Sequence, residues 1–277
     1  MNASASAPKA RMPAIFLPHG GGPWPFMPDP DNFYGRMDPY MRGLADIPAE
    51  RPRAVLIVSA HWEEAVPTIQ SHLSPPMLYD YYNFPPETYD VKWPAPGAPE
   101  VVDEIRDALA AAKIDSGLDG KRGFDHGAFV PMALAYPEAD IPTLQLSLRA
   151  DLDPQAHLAL GRAIAPLRDK GVFIVGSGMS FHNLRALIGF MRHGNKGVIE
   201  ESIAFDEWLA ETMTLDADAR DTRLTEWAKA PNARICHPRE EHLLPLHVIV
   251  GAAGDDEATL PYRDTVLGAR VTSVHFG

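Results

Sequence analysis

Three short apolar runs in this chain are continuous rather than alternating: Ala14-Ile15-Phe16-Leu17, Ala54-Val55-Leu56-Ile57-Val58 and Val172-Phe173-Ile174-Val175. A strand with one wet face alternates polar and apolar residues, so runs of this kind demand cover on both faces. Helical patterns lie between them. Residues 99–113 carry Val101, Val102, Ile105 and Leu109 at three-to-four spacing, and Asp153 as N-cap with Pro154 in the first turn opens a helix that Gly171 closes. Further helices are predicted over 129–136, 199–213 and 240–252, and further strands over 66–71, 143–148 and 270–276. A long irregular stretch, 74–99, is rich in proline and aromatic residues.

Strands alternating with helices predict one α/β domain with a mostly parallel or mixed central sheet and helices on both of its faces. Ligands of such sheets bind outside the carboxyl ends of the strands. His19, His61 and His182 each follow close upon the end of a separate predicted strand. Three imidazoles remote in sequence are thereby expected in one crevice, as a metal site at the C-terminal ends of the strands. Imidazole is the commonest neutral metal ligand, and a catalytic divalent ion needs about three protein ligands plus open positions.

Composition narrows the partners. Asp and Glu outnumber Lys and Arg by 37 to 25 in 277 residues, a net charge of −12, and no basic block is present to track a phosphate backbone. Nucleic acid is therefore not an expected partner. No apolar run approaches the roughly 20 residues of a membrane span, and the opening residues lack the apolar core of a secretory signal. Residues 1–12 are read as a disordered tail, 13–277 as the catalytic domain, and the cytoplasm as the location. The single cysteine, Cys236, leaves no internal disulfide and no thiolate-rich metal site. A monomer or small homo-oligomer is expected.

Rival chemistries fit less well. Gly20-Gly21-Gly22 lacks a Walker lysine and runs into Pro23-Trp24-Pro25, so it makes a poor phosphate cradle. Gly178-Met179-Ser180-Phe181-His182 lacks the closing glycine of a nucleophile elbow. A zinc hydrolase and a non-catalytic metal-binding interaction protein on the same scaffold stay open as alternatives.

Five elements, Pro18-His19-Gly20-Gly21-Gly22-Pro23, Ser59-Ala60-His61-Trp62, Gly123-Phe124-Asp125-His126-Gly127, Ser180-Phe181-His182-Asn183-Leu184 and Glu241-His242-Leu243-Leu244-Pro245-Leu246, resemble in order and spacing those of the DOPA-type, class III (LigB-like) extradiol ring-opening dioxygenases. The resemblance runs from Met12 to Gly277. It implies a non-haem Fe(II) enzyme that opens a catechol-type ring with O2 to a muconic semialdehyde-type product. It further implies His19, His61 and His242 as metal ligands, His182 as acid/base or a fourth ligand, and His126 as a contact to substrate or oxygen. His242 stands where protocatechuate-cleaving relatives carry glutamate. Three neutral ligands suit Fe(II) once an anionic catecholate binds, and also admit Zn(II) in purified protein.

Around this set, Asp125 and Asn183 are read as partners that fix the tautomers of the neighbouring His126 and His182. His237 and Trp24 are read as pocket-lining residues that bind substrate, and Glu241 as a solvated helix residue. His72, His157, His193, His247 and His275 have no motif around them and are read as structural or surface residues.

Overall fold

The computed structural model describes residues 10–192 and 197–277; His193 lies outside them. Its strands are β1 (Ala14–Pro18), β2 (Ala54–Glu64), β3 (Thr68–Gln70), β4 (Gly117–Asp119), β5 (Thr143–Arg149), β6 (Val172–Gly178), β7 (Ala258–Thr259), β8 (Arg263–Val266), β9 (Ala269–Thr272) and β10 (Val274–Phe276). Its helices are α1 (Met37–Arg42), α2 (Pro99–Ala111), α3 (His126–Ala135), α4 (Pro154–Ile164), α5 (Leu184–Arg192), α6 (Glu200–Met213), α7 (Ala217–Thr225), α8 (Ala233–Cys236) and α9 (Leu244–Ala253).

Among the described residues the main sheet has eight strands in the order β4-β3-β5-β2-β6-β1-β10-β7. β5, β2, β6 and β1 run parallel at its centre, while β3 against β5, and β10 against β1 and β7, are antiparallel. The sheet is thus mixed, with antiparallel pairs toward its edges. Neighbouring residues of β6 show that both faces are covered. A Cβ on Gly176 would strike Ile249 and the Pro245 carbonyl of α9, whereas Ser177, pointing the other way, hydrogen-bonds the Gly127 carbonyl of α3. The three continuous apolar runs are buried, as two-sided cover requires.

Several elements depart from the sequence pattern for local reasons. The helix expected to reach Gly171 ends at Ile164, because Pro166 cannot donate to the helical ladder. The chain continues as a 3-10 turn to Lys170, and Gly171 closes it in the left-handed region at φ 82°. The helix expected from 240 begins at Leu244, with Pro245 in its first turn. The closing strand is two strands: β9 pairs with β8, while β10 crosses to β1.

Met12, assigned to the tail, is buried. Its N–H donates to the Arg168 carbonyl and its own carbonyl accepts from Arg168 Nε at 2.7 Å. Residues 1–9 lie outside the described residues. Among the described residues no helix is long and apolar enough to cross a membrane.

Candidate active site

The parallel strands deliver histidines to one edge of the sheet. His19 is the residue after β1, and its N–H donates to the carbonyl of Gly178 at the end of β6. His61 is not beyond its strand but inside β2. Pairing of β2 with β5 slips between Val58 and Glu63, so five residues of β2 span two of β5. Such a bulge re-aims side chains and strengthens local twist; here it turns His61 toward His19, with their Nε2 atoms 3.1 Å apart. His242 precedes α9 in a turn. Its carbonyl accepts from Met179 N–H at 3.0 Å, and a Cβ on Gly178 would lie 2.2 Å from that carbonyl. Only glycine lets the turn come this close to β6.

Candidate ligand atoms of His19, His61 and His242 all lie within 4.8 Å of one another. Hydrogen-bond partners fix the tautomers of His19 and His242. Ser177 Oγ spends its proton on the Gly127 carbonyl, so it must accept from His19 Nδ1 at 3.0 Å. His19 Nε2 is then a bare lone pair. His242 Nδ1 faces Glu241 Oε1 at 3.0 Å, an acceptor, so Nε2 of His242 is bare as well. His61 turns Nδ1 toward Asp80 Oδ2 at 3.6 Å and Nε2 toward His19. Lone pairs that converge on one point in a buried place repel one another unless a cation lies among them. The donor set therefore fits a divalent metal.

Protonation agrees with this. His19 and His242 are held well below the usual imidazole pKa, first by burial and then by the neighbouring imidazoles. His61 is lowered to about 4, by burial and then by His126. All three are in the neutral, ligating form at neutral pH.

Two carboxylates missed from the sequence flank the trio. His126 Nδ1 donates to Asp80 Oδ1 at 2.7 Å, and the His126 backbone N–H donates to the same oxygen. Burial works to raise the Asp80 carboxyl, but the bonds from His126 and the charge of His126 and His61 outweigh it and bring it to about 2. On the other side, Glu241 Oε1 is 3.2 Å from His182 Nδ1 and serves His242 Nδ1 as well. Burial again opposes ionisation of Glu241, while His182, the Glu241 N–H and Arg239 lower its pKa on balance. The His182 and His242 rings stack with centroids 3.3 Å apart.

These pairs correct the reading of Asp125 and Asn183. Asp125 bonds neither ring of its neighbours. It caps α3 by accepting from Ala128 N–H, and holds Ser59, Arg122 and Gln145 at 2.7, 2.8 and 2.6 Å. Ser59 Oγ accepts from the His61 N–H, and Arg122 donates to the His61 carbonyl. Asp125 is thus the buried brace of the β2 bulge. Asn183 accepts from Ala186 N–H and donates to the Ile235 carbonyl, fixing the start of α5. Glu241 is not a solvated helix residue but part of the cluster.

His237 also departs from expectation. It is wholly buried outside the cavity lining, donates from Nε2 to the Ser180 carbonyl at 2.9 Å, and packs on Phe205 and Trp227. Trp24 does line the cavity; its indole N–H donates to the His19 carbonyl at 2.8 Å and its ring stacks on Tyr34. Cys236 is buried, with its thiol pushed up to about 12 by that burial, and is chemically inert. The cavity has a volume of about 890 Å³, with His19, His61, His126, His182 and His242 among its lining residues.

Comparison with known proteins follows the same lines. Residues 14–271 match the family model described as the catalytic LigB subunit of aromatic ring-opening dioxygenase. The chain is 40% identical over 286 residues to dioxygenase tasH of Hapsidospora irregularis, covering 99% of this chain and 88% of that protein. It is 43% identical over 209 residues to a 4,5-DOPA dioxygenase extradiol of Beta vulgaris, covering 75% and 76%. The crystal structure of the uncharacterized protein JW3007 from Escherichia coli K12 superposes with a TM-score of 0.78 at 31% identity, over 96% of this chain and all of that one.

Proposed function

The chain belongs to the LigB family of aromatic ring-opening dioxygenases, and from that premise we propose that it is an extradiol enzyme using Fe(II) to cleave a catechol-type ring beside the diol. Membership makes it a metal-dependent, ring-cleaving oxidoreductase acting on a small molecule and O2. That sets aside the hydrolase and the non-catalytic reading. The single observation that carries the proposal is the convergence of three neutral imidazoles between two histidine–carboxylate pairs in the wall of an apolar cavity.

His19, His61 and His242 would hold the ion. When bound, Fe(II) would supply a redox-active Lewis acid on which diol and O2 meet at attacking distance. The remaining chemistry is proton movement, and the chain's own residues supply it. His182 turns Nδ1 to Glu241 and leaves Nε2 to take the proton of a catechol hydroxyl. Glu241, ionised, stabilises the imidazolium that results. On the opposite side His126 holds its Nδ1 proton on the ionised Asp80, so its Nε2 is free to take up a proton and, once protonated, to donate to negative charge building on oxygen. Trp24, Tyr81 and Phe84 wall the cavity and keep water from the ring.

The test is anaerobic loading with Fe(II), then addition of catechol and air. Oxygen uptake matching catechol loss, with a yellow ring-opened product, is the expected result. Turnover that needs zinc and proceeds without O2 would overturn it.

A further inference from the structure

We infer that the part of the cavity beyond the metal cluster is a binding site for an uncharged, apolar substituent on the catechol, and that α5 is its selectivity element. The inference rests on the dioxygenase reading of the same site.

The first observation is size. A volume of about 890 Å³ lies near the top of the range of about 300–1,000 Å³ that houses drug-sized ligands, and a bare dihydroxybenzene ring would leave most of it empty. The second is the wall. Leu184, Leu187, Ile188 and Met191 recur at helical spacing on α5, and all four line the cavity. Leu184 is 56% exposed, and Ile188 and Met191 are each 38% exposed. An apolar stripe normally faces a core; this one lines the cavity instead, where an apolar ligand group would complete it.

The third observation is charge. Among the described residues lining the cavity, Arg239 is the one Lys or Arg. Both its terminal nitrogens are engaged by Glu63, at 2.6 and 2.5 Å, and Nη1 also lies 3.6 Å from Glu241. The lining carboxylates Asp29, Glu63, Asp80 and Glu241 outnumber it. Among the described lining residues a carboxylate on the substrate arm would meet no unpaired Lys or Arg and would have to break the Arg239–Glu63 pair. An alkyl or aryl arm only displaces water from Leu, Ile and Met side chains.

Binding and turnover separate this inference from the one beneath it. Catechol, 4-methyl-, 4-ethyl- and 4-butylcatechol, and DOPA as the zwitterionic comparison, are titrated anaerobically into the Fe(II)-loaded protein by calorimetry, then turned over in air. The Kd is expected to tighten by roughly fourfold per methylene, with 4-butylcatechol binding at least tenfold tighter than DOPA. Leu184→Gln/Ile188→Gln should flatten the dependence on chain length. Arg185→Gln, on the same helix but outside the lining, should preserve it. DOPA binding as tightly as butylcatechol, or a chain-length slope untouched by the double variant, overturns the inference. Chain-length-dependent binding with no O2 uptake for any catechol would instead overturn the oxygenase reading and leave the apolar site in place.

Discussion

At the scale of single residues, the chemistry is divided between side chains that present lone pairs and side chains that fix where those lone pairs point. The histidines were legible in the sequence because they sit in ordered motifs, with His19, His61 and His182 near the ends of predicted strands. Asp80 was not: it lies 46 residues from His126, inside a proline- and aromatic-rich stretch with no spacing rule to join them. Glu241 adjoins His242, so adjacency was visible, but only the turn before α9 reveals that one of its oxygens serves both His182 and His242. Glu241→Gln keeps an acceptor for His242 Nδ1 but removes the charge beside His182. We predict that iron content holds while kcat falls by about 10- to 100-fold, checked by steady-state rates normalised to measured iron. Unchanged kcat would remove Glu241 from the proton-transfer step.

At the scale of elements, continuous apolar runs announced the buried strands, and Asp153 with Pro154 announced the start of α4. What escaped was non-local. The β2 bulge depends on register against β5, which no property of residues 54–64 encodes alone. The seating of α9, whose start places His242, depends on α4. A Cβ on Gly251 would lie 2.1 Å from the Leu158 carbonyl, and one on Gly161 would lie 2.0 Å from the Val248 carbonyl. Gly251→Ala must push the two helices apart. A loss of about 1–3 kcal/mol is expected, read as a lower urea midpoint, with weaker iron retention because the turn carrying His242 shifts with α9. Full stability in Gly251→Ala would show that the crossing is loose.

At the scale of the whole molecule, burial keeps several structural imidazoles neutral. Burial lowers His237 to about 3, and His247 and His275 to about 4. In the unfolded chain these groups titrate near 6.5. Above that pH neither state binds the proton, so the full stability is present. As pH falls below 6.5 the unfolded chain takes up protons that the folded chain refuses, and stability is lost until the folded values are reached. Each such group removes roughly 2 kcal/mol by pH 5. His247, wholly buried and bonded to the Leu224 carbonyl, is the cleanest to test. The difference in urea midpoint between pH 7.5 and pH 5 should shrink in His247→Gln; an unchanged difference would mean that His247 takes up its proton in the folded state.

The central claim is that imidazoles from three distant segments share one ion while His182, stacked on one of them, does not. Iron bound per chain after anaerobic Fe(II) loading and desalting tests it most directly, compared across the wild type, His19→Ala, His61→Ala, His242→Ala and His182→Ala. The account predicts about one equivalent in the wild type and in His182→Ala, the latter without turnover, and less than roughly a tenth in the other three. Full iron in any of those three, or equal loss in His182→Ala, would contradict it.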